Sequence, residues 1–159
     1  MQMTKDRGRF KQQIKTLLFT SENLLEVLCG DVSGLSTKAK LDMFNKCVKS
    51  HLFIDDTLTE NGSYIFFDVV VPDVSVHTKE CKIVMYLICH RDLLDDTYVK
   101  EGYYGNRADI MSEIVEETLL SDKNINQFGI GELLLESVDI YNSASYYGVQ
   151  MTYAAECFR

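Results

Sequence analysis

Two β-prone runs decide the fold: YIFFDVVV at residues 64–71 and ECKIVMYLICH at residues 80–90. Both are rich in β-branched and aromatic residues, which suit a pleated, half-buried surface. Pro72, the one proline, follows the first run. It has no backbone donor and is expected to close that strand. Residues 73–79 then read as a connecting loop, and the two runs as an antiparallel hairpin. Just upstream, Asn61-Gly62 is a turn signal, and residues 51–57 form a short β-prone stretch with Phe53 and Ile54.

Toward the C-terminus, residues 91–105 are polar and end in GYYG. Asn106 is placed to cap a helix over Arg107–Leu120, whose apolar positions Ile110, Met111, Ile114, Val115 and Leu119 recur at helical spacing. Residues 131–141 alternate as a strand, 142–145 turn, and Tyr146–Phe158 form a last strand with Gly148 marking a bulge. Toward the N-terminus, Phe10, Ile14, Leu17 and Leu18 line one face of a helix over 8–19. Ser21 caps a short helix carrying Leu24, Leu25, Val27 and Leu28, and Gly30 stops it. Leu41, Phe44 and Val48 place a third helix over 37–50. This order predicts an α+β fold: a mostly antiparallel four-stranded sheet with helices packed on one face. The whole chain, 1–159, reads as a single domain, with residues 1–7 as a flexible polar terminus.

At 159 residues and 46% apolar, the chain is long enough to build its own core without a metal or a disulfide. Its net charge of −8 disfavours sequence-specific DNA binding, which draws its affinity from neutralised phosphates. The basic residues concentrate weakly near the start, as Lys5, Arg7, Arg9, Lys11 and Lys15, which reads as a solvated helix face. The five cysteines have no CxxC spacing and read as free thiols, mostly buried, in a reducing compartment. No apolar run approaches the roughly 18 residues that cross a bilayer, so no membrane partner is expected.

Several short motifs point toward catalysis. Pro72-Asp73 followed by Glu80-Cys81-Lys82 has the form of a PD…(D/E)xK nuclease site. Asp73 and Glu80 would hold magnesium and Lys82 would orient the attacking water. The six-residue spacer is short for that family, and a proline and an acid are what any strand-ending turn contains. His90-Arg91-Asp92 imitates a kinase triplet without a Gly-rich loop or a lysine strand. Cys81, Cys89 and His90 lack closed zinc spacing. Gly129-Ile130-Gly131 precedes a strand rather than a helix, so it reads as a turn and not a phosphate loop. The acid pairs Asp55-Asp56 and Asp95-Asp96 read as solvated loop residues. No enzymatic activity, cofactor or metal is therefore expected.

The tyrosines point elsewhere. Tyr103-Tyr104 and Tyr146-Tyr147 each precede a glycine. In a strand, neighbouring side chains face opposite ways, so one of Tyr146 and Tyr147 should leave the core. Partly exposed tyrosines favour protein interfaces.

The segments HLFIDDTLTENGSYIFFDVVVP (51–72), CKIVMYLICHRDLL (81–94), GYYGNRADIMSEIVEETL (102–119) and FGIGELLLESVDIYNSASYYGVQMTYAAECF (128–158) resemble the tail-terminator or neck proteins of tailed bacteriophages that infect Gram-positive hosts. The cues are GNR opening a helix, FGIG before a strand, and the final YYG strand. The resemblance implies a virion protein at the head–tail junction, made in the host cytoplasm. It implies a homo-oligomeric, usually six-membered ring that caps the tail tube and meets the head connector. Phage DNA would pass through the lumen without specific binding, and the net charge of −8 suggests a channel wall that repels it. A ring subunit needs two different contact surfaces. The expected contributors are Asp73 in the 72–79 loop, Tyr103 and Tyr104, and Tyr146 and Tyr147. The alternatives are the magnesium-dependent nuclease and a cytoplasmic adaptor or inhibitor.

Overall fold

The computed structural model describes residues 3–54, 62–74, 78–94, 97–121 and 133–158. Three helices come first: α1 (Met3–Phe19), α2 (Glu22–Cys29) and α3 (Thr37–Cys47). A two-residue strand β1 (Val48–Lys49) follows, then β2 (Ser63–Val74), β3 (Thr78–His90), α4 (Arg107–Leu120), β4 (Leu133–Asn142) and β5 (Tyr146–Phe158). The predicted caps are present. Ser21 Oγ accepts from the Leu24 amide at 3.2 Å, and Gly30 ends α2 at φ 82°. Asn106 and Asp109 form a reciprocal capping box, both bonds at 3.0 Å.

The fold is α+β and a single domain, but the sheet has five strands and is mixed rather than four-stranded and antiparallel. Its order is β1-β2-β3-β5-β4, with β1 parallel to β2 and every other pair antiparallel. The parallel strand arises because α3 stops at Cys47, three residues earlier than its apolar pattern suggests. Val48 then turns extended, opposite Ile65, and is fully buried.

Pro72 does not close β2. The strand runs on to Val74, and the β2–β3 register shifts between Val70 and Asp73. A proline is tolerated in a strand where the ladder is interrupted by such an irregularity. Gly148, by contrast, sits in unbroken register with Ile88 and Tyr141, so it is no bulge. A Cβ at this position would collide with the Leu87 carbonyl oxygen, so the close backbone approach demands glycine.

Helices cover one face of the sheet. Ile65, Phe67 and Val69 of β2, Ile83, Met85 and Leu87 of β3, and Met151 and Tyr153 of β5 meet Ile14, Leu18, Leu24, Phe44, Ile110 and Ile114 in one core. Each such fully buried side chain contributes about 1.5–3 kcal/mol relative to exposure. The opposite face holds a smaller cluster of Tyr64, Phe66, Ile88 and Tyr146. No helix among the described residues is long and apolar enough to cross a membrane.

Candidate interaction surface

Residues 97–106 link β3 to α4 across the ends of α2 and α4, and alternate side chains tie the segment down. The Arg107 guanidinium lies 3.8 Å from the centre of the Tyr98 ring and donates through Nη1 to the Val27 carbonyl at 3.2 Å. Lys100 pairs with Glu26 of α2 at 3.0 Å, and its side chain is only 9% exposed. Tyr103 donates its hydroxyl to Glu117 of α4 at 2.8 Å and accepts from Asn23 of α2 at 3.5 Å. The bond to Glu117, followed by burial, raises the Tyr103 phenol above its ordinary pKa, and the bond from Asn23 opposes the rise. Gly105, at φ 95°, supplies the left-handed turn that brings Asn106 to the cap.

Between these anchors two apolar side chains point outward. Val99 is 81% and Tyr104 83% exposed. The support beneath them is fixed, so the pair is a pre-ordered apolar display, and binding through it needs little loop ordering. Of the two tyrosines expected here, Tyr104 faces out, whereas Tyr103 is an anchor.

The second doublet divides differently. Tyr146 is buried on the open face, edge-on to Tyr64 at 6.1 Å and to His90 at 5.4 Å. This packing does not offer it as an exposed anchor. Tyr147 lies on the helix face, half-buried, opposite Cys89 and Asn142. Asp73 lies within β2, opposite Glu80. The doublets are therefore not brought together into one patch.

A second exposed region is β4. Among the described residues its strand neighbour is β5 alone, and its outer edge is unpaired. Leu134 (55%), Val138 (54%) and Ile140 (74%) are exposed along it. Register places Val138 and Ile140 opposite Met151 and Val149, on the helix face, where both stay exposed. Sequence alternation identified this strand but not its position at an edge.

The catalytic motifs are resolved in part. Lys82 Nζ is 3.1 Å from Glu136 of β4. His90 ends β3, and its Nδ1 accepts from the Asp92 amide at 3.2 Å, so the triplet forms a capped turn. Cys81 and Cys89 are buried on the helix face, while His90 lies on the other. Cys29, Cys47, Cys81 and Cys89 are free thiols. The pairs Asp55-Asp56 and Asp95-Asp96, the residues Asn61 and His77, and the FGIG segment lie outside the described residues. Sequence reasoning missed the stacked Tyr98–Arg107 pair; GNR, noticed for its position, was its only trace. Compared with known proteins, residues 12–155 match the family described as YomW. No curated protein matches the chain.

Proposed function

Because the chain belongs to the YomW family, a membership compatible with a phage protein, we propose that it is a structural virion protein of a tailed bacteriophage. In this reading it forms a ring, six-membered by resemblance, at the head–tail junction. There it caps the tail tube and joins the head connector, with DNA passing through its lumen. The protein is made in the host cytoplasm and carried in the particle.

The observation that supports this reading best is the amount of apolar side chain held outward on fixed supports. Val99 and Tyr104 stand on an anchored segment, and Leu134, Val138 and Ile140 on a strand whose outer edge has no strand neighbour among the described residues. Exposed apolar patches of this kind mark protein–protein contact, and two separate patches suit a subunit with two different neighbours. Native mass spectrometry over a range of concentrations, with negative-stain imaging, tests it. Closed rings, together with recovery of the protein in purified particles at a few copies, are the expected result. Absence from particles and a stable complex with a host enzyme would select the adaptor instead.

A second reading draws on one observation: the β2–β3 register sets Asp73 opposite Glu80, with Lys82 two residues on. A magnesium nuclease would need these groups. The tie of Lys82 to Glu136 counts against its role in orienting water. Magnesium-dependent DNA cleavage that disappears in Asp73→Ala would establish this reading.

A further inference from the structure

Charge is divided between the two edges of the sheet. Residues 1–50 carry nine Lys and Arg against five Asp and Glu, whereas residues 107–159 carry three against nine. Only part of this division carries over into space, because α1 and α2 pack against α4. β1 and α3 lie at one edge, and β4, paired with β5, lies at the other.

At the β1 edge, Lys49 is close enough to Lys15 to lower that amine's pKa, a smaller effect there than burial. Lys46 sits in the last turn of α3 and is exposed. Phe53, four residues beyond β1, is 71% exposed. At the β4 edge, Asp139 is exposed beside Val138 and Ile140, and Glu136, also exposed, is paired with Lys82 of β3 at 3.1 Å. Glu116 of α4 stands on the same side, near enough to Tyr153 to add to the rise that burial imposes on that phenol. Neither β4, β5 as far as Phe158, nor α4 after Arg107 contains a Lys or Arg. One edge is basic with an exposed aromatic ring; the other is acidic with exposed aliphatic side chains.

We infer that the β1 edge of one copy docks on the β4 edge of the next, head to tail. The occupant of the open β4 edge is a second copy of this chain. The inference rests on the ring reading and deepens it by assigning the copy-to-copy contact, of which the β4 patch is one side. Charge complementarity sets the direction of the contact. Two β4 edges facing each other would bring like charges together, which is unfavourable. A contact between unlike surfaces repeats from copy to copy and closes into a ring when the rotation permits.

The test uses two charge-reversed variants of the full chain, each checked for an unchanged circular dichroism spectrum and melting temperature. Lys46→Glu with Lys49→Glu makes both edges acidic. Glu116→Lys with Asp139→Lys makes both basic and leaves the Lys82–Glu136 pair in place. Association of each variant alone should weaken by about 100-fold in sedimentation velocity at low salt, and equimolar mixing should restore it. The variant carrying all four reversals should also associate. Undiminished association of either double variant alone, or no rescue on mixing, overturns the contact. If wild-type rings are seen and these variants still form them, the ring reading survives and this interface does not. Wild-type protein that stays monomeric at about 1 mM, far above the micromolar range of ordinary specific association, overturns the contact too. Recovery from purified particles tests the virion reading separately.

Discussion

At the β2 side of the sheet, β1 pairs with Ile65 and Phe66, Arg7 donates to the Val69 carbonyl, and Asp68 accepts from the Val69 amide at 2.8 Å. At the β4 side, a ten-residue strand ends the sheet, with no strand beyond it among the described residues. Unpaired strand edges template further pairing, and proteins commonly blunt them with charged side chains or short end strands. Here one edge has both devices. Asp68 also holds Lys11 at 2.7 Å and pairs with Arg7, so α1 is clamped over the same edge. The other edge has an acid at Glu136 and at Asp139 and otherwise offers aliphatic surface. Among the described residues, the β4 edge is therefore the less protected of the two.

The contrast can be broken most strongly through packing at the closed edge. Phe44 is 1% exposed and packs against Phe19 with ring centres 5.2 Å apart. Phe44→Ala should destabilise the fold by about 3–5 kcal/mol in chemical denaturation. A baseline belonging to neither edge comes from Cys89 in β3, whose thiol burial pushes up to about 11. Its ordinary value lies lower, so above that value the unfolded chain ionises while the folded chain keeps its proton. Stability is then fully present below about pH 9 and falls as pH rises through about 11, by on the order of 2 kcal/mol. Melts at pH 8 and 10.5 should show this fall, and Cys89→Ala should make it smaller, the remainder coming from Tyr153 and Cys47, whose pKa values are also raised in the fold.

Loosening the clamp is a smaller change. Asp68→Ala frees Arg7 and Lys11 and removes an acceptor from the Val69 amide. We expect a loss of about 1 kcal/mol, discounted because Arg7 is substantially exposed. Faster hydrogen exchange at Val69 is the specific sign. The smallest effect on stability belongs to the open edge. Ile140→Ser should change unfolding free energy by no more than about 0.5 kcal/mol, yet shift native mass spectra toward smaller species. Equal stability losses for Ile140→Ser and Phe44→Ala would erase the contrast.

Much of this fold was legible from local signals. Ser21, Gly30 and Asn106 act within one turn of their own position, so the helix ends could be read from them. The runs at 64–71 and 80–90 pair along nearly their full length as neighbours in sequence, which a hairpin pattern reveals. What escaped depends on distant residues. Val48 continues the apolar spacing of α3, and only its pairing with Ile65 makes it a strand. Pro72 reads as a stop, although a register shift accommodates it. Of the predicted contact residues, Tyr104 is displayed and Tyr146 is packed. The difference lies in what surrounds them: Tyr146 meets Tyr64 and His90, partners that sequence spacing does not bring to mind.

Strand β5 comes after the other four in the chain yet lies between β3 and β4. During synthesis, β3 has no partner on that side and β4 none at all until β5 emerges. The helix-facing core is likewise short of Val149, Met151, Tyr153 and Ala155 until then. The nascent chain therefore presents the same two hydrogen-bonding ladders that β5 will fill, and any extended segment of another chain can compete for them. Fidelity at this stage is kinetic, a race between intramolecular closure and capture by neighbours, and shortening the chain from its C-terminal side loses the strand that joins β4 to the rest of the sheet.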